Sequence, residues 1–469
     1  MSETENIVNY NAIEESDSIA KENRIILYNK RWFILFLFTS YSFLNAYQWI
    51  HLNIISEKVA YFWNNSLPTD NLKRNQAINW LSIVYMLAYI PLIIPAMWFL
   101  KHKGLRSSSL VASFLNALGA WIKCISVSSD GTRFAVLMTG QSICAVAQVF
   151  ILGIPAHLAA VWFGANEVST ATAMGVFGNQ LGIGFGFVIP PLLFPRIETN
   201  STRIIYQKRF NIMFYTGAVV TTVLFIFILF VFDKRPKSPP SWGQIALAEN
   251  SPDYDYKTSI ITLFKDFNFV ALFFSYGINT GIFYSISTIL NSILQRYFKD
   301  DSTLIGTAGL LMIVSGIVAA VIIGIILDRT KAFKLCVIVL YASTIISMAA
   351  FAGGLFLYSW EVVFLLIILL GFFMTGYLPL GFELGAEMTY PINEGLTSGL
   401  LNLSAQIFGI MFTYVGSWVL STYGAFYTNV SFVVFLIIGG ILTIFMRIDL
   451  KRQRAHLVGT ESETQSYLK

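Results

Sequence analysis

Trp49 lies within an apolar run, in the segment Asn45-Ala46-Tyr47-Gln48-Trp49. A bilayer interior has no water to satisfy the indole N–H or the Gln48 amide, so both need built-in partners. Such a pairing points to a binding site inside a membrane. Three more positions sit at comparable depth in their own runs: Gln180, Tyr284 and Gln406. Aromatic faces attract cations by about 0.5–2 kcal/mol each, most strongly once desolvated. A quaternary ammonium has no N–H to donate, so an aromatic cage suffices without a carboxylate. The two Gln amides could then hold a hydroxyl on the same molecule. Taken singly, a Gln or Tyr in such a run is ordinarily a packing or hydrogen-bonding residue. Four of them, on four separate runs, make the stronger case for a site.

Charge within the runs is sparse. Glu383 lies near the end of one run with Glu387 just beyond it, and Lys123 and Glu57 lie towards run ends, where a side chain can snorkel. His51 is the one candidate for a proton site, although helix–helix hydrogen bonding is its more ordinary role. No phosphate-binding glycine loop, metal-ligand cluster or nucleophile elbow is present, so neither an enzyme nor a bound cofactor or metal is expected. Gly178, Gly182 and Gly186 recur every fourth residue before Pro190-Pro191, a pattern for close helix packing and a bent end.

The elements that carry these residues follow from hydropathy. Of 469 residues, 55% are hydrophobic and 12% charged, against about 25% charged in a soluble domain. With a mean hydropathy of +0.64, the chain reads as a polytopic all-α membrane protein. A span needs about 20 apolar residues. Twelve are expected, six near 33–60, 76–100, 108–127, 133–157, 168–194 and 210–232, and six near 266–296, 303–327, 335–358, 361–384, 393–421 and 425–447. The runs are too long and unbroken for barrel strands. A polar segment, 233–265, divides the sets. The expected organisation is a disordered cytosolic tail (1–31), a six-helix half (32–232), a cytosolic linker (233–265), a second half (266–447) and a cytosolic tail (448–469). The polar start also argues against a cleaved signal peptide.

Lys and Arg set the orientation. Lys30, Arg31, Lys101, Lys103, Arg106, Lys234, Arg235, Arg329, Lys331, Lys334, Arg447 and Lys451 all fall on one side, which the positive-inside rule makes cytosolic. The net charge of +5 is thus a topology signal and not a nucleic-acid one. Sequons at Asn64 and Asn200 fall in loops on the opposite side, as glycosylation candidates. Cys124, Cys144 and Cys336 lie within apolar runs and are not expected to pair. The two sets echo one another: Asn166-Glu167 opens the fifth span and Asn393-Glu394 the eleventh, each leading to a mid-span amide. A repeat of this kind puts the site between two halves near the midplane. Asp328, with Arg329 and Lys331, ends the eighth span and is read as a latch on the cytosolic face.

These segments resemble the major facilitator superfamily, whose loop motif is similar to Gly324 through Lys331. More narrowly, the chain resembles the feline leukaemia virus subgroup C receptor-related family. The resemblance rests on Asn45-Ala46-Tyr47-Gln48-Trp49, Ala159 through Gly164, Gly178-Asn179-Gln180-Leu181-Gly182, Tyr276-Gly277-Ile278-Asn279 through Tyr284, Gly381-Phe382-Glu383-Leu384 and Ser398 through Asn402. It covers nearly all twelve spans. The first half departs from the superfamily motif by lacking an Asp before Gly104. The resemblance implies uptake of choline, and of ethanolamine, at the plasma membrane; haem export has also been attributed to the family. It also implies that Trp49 and Tyr284 form the cation–π pair, that Gln180 and Gln406 contact the hydroxyl end, and that Asn279 and Asn291 support them.

The expected activity is therefore alternating-access transport of a small organic cation by a monomer in the bilayer, as a facilitative uniporter. A haem or porphyrin exporter is the alternative; it would want basic residues for propionates and His or Met for iron. A receptor without transport would need a folded soluble domain, and the tails are short and polar.

Overall fold

A computed structural model describes residues 26–128, 130–164, 167–194, 202–238, 240, 256–299, 301–330, 332–390, 392 and 394–451. The expected N-terminal tail, most of the C-terminal tail and much of the 233–265 linker therefore lie outside the described residues. All the described regular structure is helical.

The first span is α1 (Lys30–Ile50), a 3-10 turn (Asn53–Ile55) and α2 (Ser56–Phe62). The second and third spans run together as α3 (Asn71–Ile125), broken at Gly104. Sequence alone separated them at 100 and 108. Lys101, His102 and Lys103 instead continue the helix, and the turn falls on Gly104 at φ 80°, a conformation that favours glycine. The fourth span is α4 (Phe134–Leu152) with α5 (Ile154–Trp162). The fifth and sixth are α6 (Val168–Leu193) and α7 (Thr202–Val231). A short helix, α8 (Tyr256–Lys265), precedes the second half. That half is α9 (Phe267–Leu294), α10 (Ser302–Thr330), α11 (Phe333–Gly354), α12 (Trp360–Thr389), α13 (Glu394–Thr422) and α14 (Ala425–Phe445). Among the described residues, ten helices are long and apolar enough to cross a membrane; with α3 counted as two and the broken first span added, they group as two sets of six. Asp70 and Asp266 cap α3 and α9 by accepting from the N–H of Leu72 at 2.8 Å and Asn268 at 2.9 Å.

Burial ranks the helices. In α9, 83% of the most apolar stretch is enclosed, against 22% in α7, so α9 is central and α7 lies at the lipid edge. Within the first half, α6 packs on α1 through the glycine stripe. A Cβ at Gly178 would overlap Thr39, one at Gly182 the Phe43 carbonyl, and one at Gly186 the Ile50 side chain. Small residues here let two backbones approach closely. The second half repeats the device between α9 and α13, where Gly277 and Gly281 receive Ser404 and Phe408. Between the halves, Phe187 of α6 fills the glycine face of α10 at Gly306 and Gly309, and Gly409 of α13 lies against Met86 of α3. The span ends that gather Lys30, Lys101, Arg329 and Lys451 are called the basic end below, and the opposite ends the far end.

Candidate functional site

The first span breaks where its chemistry lies. Between Ile50 and Asn53 the α-helical ladder stops, and side chains take over the freed carbonyls. Gln141 Nε2 donates to the Gln48 carbonyl at 2.7 Å, and His51 Nδ1 pairs with the same oxygen at 2.9 Å. Ser82 Oγ donates to the Trp49 carbonyl at 3.1 Å and lies 2.8 Å from Asn53 Oδ1. The Trp49 indole N–H donates to the Ser82 carbonyl at 3.3 Å. Both ends of Trp49 are therefore tied to one residue of α3.

Trp49 then meets Tyr284 of α9 edge to face, with ring centroids 5.6 Å apart and planes at 78°. The two rings come from opposite halves. Gly409 stands beside them: a Cβ there would lie 2.9 Å from Met86 Sδ and 3.4 Å from the Tyr284 ring, so glycine keeps that wall clear. Gln406, one turn nearer the basic end, is buried and makes no hydrogen bond among the described residues.

The remaining expected site residues are spread along the axis. The α1–α6 contacts pair residue 178 with 39, 182 with 43 and 186 with 47. Gln180 therefore sits about eight residues, roughly 12 Å, towards the basic end from Trp49; its Oε1 is buried without a partner among the described residues. Asn279 is fully buried, and neither amide atom has a hydrogen-bond partner among the described residues. Asn291 is engaged elsewhere: its Nδ2 donates to Ser56 Oγ at 2.9 Å and ties α9 to α2. Sequence reading passed over Gln148 of α4. It is buried, makes no hydrogen bond among the described residues, and shares a helical stripe with Gln141 and Cys144. A mid-span amide at that spacing was the signal available.

Lys123 corrects an expectation. It does not snorkel to a surface but is buried, with 2% of its area exposed. Its Nζ donates to Gln48 Oε1 at 2.5 Å and to Gln141 Oε1 at 3.2 Å. Gln48 Nε2 and Asn45 Nδ2 both donate to Asn116 Oδ1 at 3.0 Å, and Asn45 Nδ2 also reaches the Cys144 carbonyl at 3.0 Å. The side chain was short of the helix end by too little to be diagnosed from sequence; the Gln48–Gln141 pocket decided its direction. His51 lies in the same region, stacked on Tyr47 with centroids 5.3 Å apart. The three cysteines are free.

The far end is joined across the halves by Asn79 Nδ2 to Ser417 Oγ at 3.0 Å, by Ser56–Asn291, and by Lys58 Nζ to Ser302 Oγ at 3.3 Å. Beyond them lies a polar cavity of about 530 Å³ whose walls include Glu57, Arg74, Gln295 and Arg296. Asn64 is exposed there and accepts from Arg203 Nη1 at 3.3 Å; Asn200 lies outside the described residues. At the basic end Arg31 grips Glu167 with two bonds, Nε at 3.0 Å and Nη2 at 3.1 Å. Arg329 is exposed, whereas Lys331 and the side chain of Asp328 lie outside the described residues.

Comparison with known proteins places this architecture. The Major Facilitator Superfamily model matches residues 32–346 and 272–469. The choline/ethanolamine transporter flvcr2a of Danio rerio is 45% identical over 432 residues, covering 92% of this chain and 89% of that protein. The choline/ethanolamine transporter FLVCR2 of Homo sapiens is 45% identical over 437 residues, covering 93% of this chain and 81% of that protein. Among solved structures, a D-xylose–proton symporter aligns with a TM-score of 0.68 at 11% identity, over 89% of this chain and 98% of that one, a likeness of fold.

Proposed function

Because the chain belongs to the major facilitator superfamily, and within it to the feline leukaemia virus subgroup C receptor-related transporters, we propose that it carries choline, and with it ethanolamine, across the plasma membrane. The observation that carries this reading is the Trp49–Tyr284 pair, two rings from opposite halves at 5.6 Å. A cation held between them would touch both halves at once. Rocking of the halves about that point is the usual form of alternating access.

In this reading the quaternary ammonium faces the two rings and Gln406 takes the hydroxyl. Gln180, nearer the basic end, meets the substrate on its way through. Asn279 and Asn291 support α9. The basic end faces the cytosol, so the three cross-half bonds at the far end close the extracellular side. Transport is downhill: an inside-negative potential contributes about 2.3 kcal/mol per 100 mV for a monovalent cation. The working unit is a monomer, glycosylated at Asn64 or Asn200.

The experiment is uptake of radiolabelled choline by cells with and without the protein, with unlabelled ethanolamine and haem as competitors. Saturable choline uptake, competed by ethanolamine, is expected. Absent choline uptake, with haem moved instead, would overturn the reading in favour of a porphyrin exporter.

A further inference from the structure

The far-end cavity of about 530 Å³ carries the wrong sign for the antechamber of a cation carrier. Two guanidinium groups line it, Arg74 of α3 and Arg296 just past α9, with one carboxylate, Glu57. That carboxylate is matched by Lys58 at 3.3 Å. Among the described residues neither arginine meets a carboxylate. They donate to neutral oxygens instead, Arg74 to Asn71 Oδ1 and Arg296 Nη2 to the Leu420 carbonyl at 3.5 Å. A guanidinium is always charged and has five N–H donors, so both keep donors to spare.

The neutral groups of the wall lean the same way. Ser56 Oγ accepts from Asn291 Nδ2 at 2.9 Å and Ser417 Oγ from Asn79 Nδ2 at 3.0 Å, so each serine retains a proton to donate. The Gln295 amide nitrogen is buried with no partner among the described residues. Donors together with unmatched positive charge suit an oxyanion, which only accepts. The walls come from both halves: Ser56, Glu57 and Arg74 from the first, Gln295, Arg296 and Ser417 from the second. The two serines also make two of the three bonds that join the halves at this end. Parting the halves here would break those bonds and carry the two arginines away on separate walls.

We propose that this cavity is a regulatory site for a small free oxyanion, which binds while the far end is closed and so slows the carrier. A ligand shifts an equilibrium only by its differential affinity for the two states. Arg74 and Arg296 share one cavity only while the halves are together at this end, so the anion favours that state. The binding site stands on its lining; its effect on uptake rests on the cation-carrier reading, which makes the far end extracellular.

The test uses the purified full chain and inorganic phosphate, compared with chloride at equal ionic strength. Phosphate should raise the thermal midpoint of the wild type in detergent. The paired variant Arg74→Gln with Arg296→Gln should need about tenfold more phosphate for the same rise. If that pair does not fold, Ser421→Asp sets a carboxylate on the same wall and should weaken phosphate likewise. In cells, external phosphate should slow choline uptake, and raising choline should not restore it, because the inhibited form is the one closed to the outside. A midpoint that phosphate moves no more than chloride does, or that moves equally in wild type and variants, overturns the site. Inhibition relieved by excess choline would put phosphate in competition at the rings and overturns the regulatory role. Wild-type protein that binds phosphate through the two arginines but moves no choline defeats the carrier reading alone, a result separate from the others.

Discussion

The Trp49 and Tyr284 rings meet edge to face across the boundary between the two halves, with 5.6 Å between centroids. Neither ring can hold this position alone. Trp49 is fixed through Ser82, which accepts from its indole N–H and donates to its carbonyl. Tyr284 has room because residue 409 is glycine. Trp49→Ala should therefore reduce choline uptake by about tenfold or more while leaving surface expression intact, and Trp49→Phe should recover part of it, since the weaker quadrupole still attracts a cation. Uptake kinetics alongside surface labelling will decide; wild-type uptake by Trp49→Ala would sink the cage.

The two amides make a second, separable prediction. Gln406→Ala should weaken choline more than tetramethylammonium, which lacks a hydroxyl, because the amide sits one turn from the rings. Gln180→Ala, about 12 Å away along the helix, should show the same preference but a smaller effect on binding than on turnover. Parallel losses for both ligands at position 406 would make that amide a framework group.

Close packing of α6 on α1 gives a stability test. A Cβ at Gly182 would strike the Phe43 carbonyl, a backbone atom that cannot swing away, whereas Gly217 of α7 has nothing within 4 Å. Gly182→Ala should destabilise by about 1–3 kcal/mol and lower the thermal midpoint in detergent. Gly217→Ala should leave it within error. Equal midpoints for the two would show that α1 and α6 can separate freely.

Uptake should follow membrane potential and ignore imposed proton or sodium gradients. His51 pairs with the Gln48 carbonyl and stacks on Tyr47, so it serves the break in the first span. Potassium-valinomycin clamps at several potentials, with pH varied independently, measure this. Accumulation driven by pH alone would revive His51 as a proton site.

Asp328→Asn should shift the carrier towards the state open at the basic end and slow turnover, with little change in affinity. The residue lies beside Arg329 at the basic end of α10, the end that the alternating-access proposal requires to seal when the far end opens. A group moves such an equilibrium only by its differential interaction with the two states. Accessibility of single cysteines placed on both cavity walls reads the shift, and unchanged labelling with normal turnover would reduce Asp328 to a topology charge.

Hydropathy and charge alone determined twelve spans, two halves and their common basic end, because a bilayer demands long apolar runs and segregates Lys and Arg. Composition also exposed Trp49, Tyr284 and the mid-span amides as residues out of place in lipid. The glycine stripe at 178, 182 and 186 was legible as packing, and it is packing. Other decisions needed three dimensions. Whether two rings 235 positions apart in the chain touch depends on how the halves dock, which no periodicity encodes. The separation of Gln180 from Trp49 along the axis came from the register of α6 on α1, set by Thr39, Phe43 and Tyr47 against glycines. Lys123 looked like a helix-end charge because sequence counts residues from a boundary. Its side chain turned inward because Gln48 and Gln141 together offered two acceptor oxygens, a partnership between three different spans that exists only once they pack.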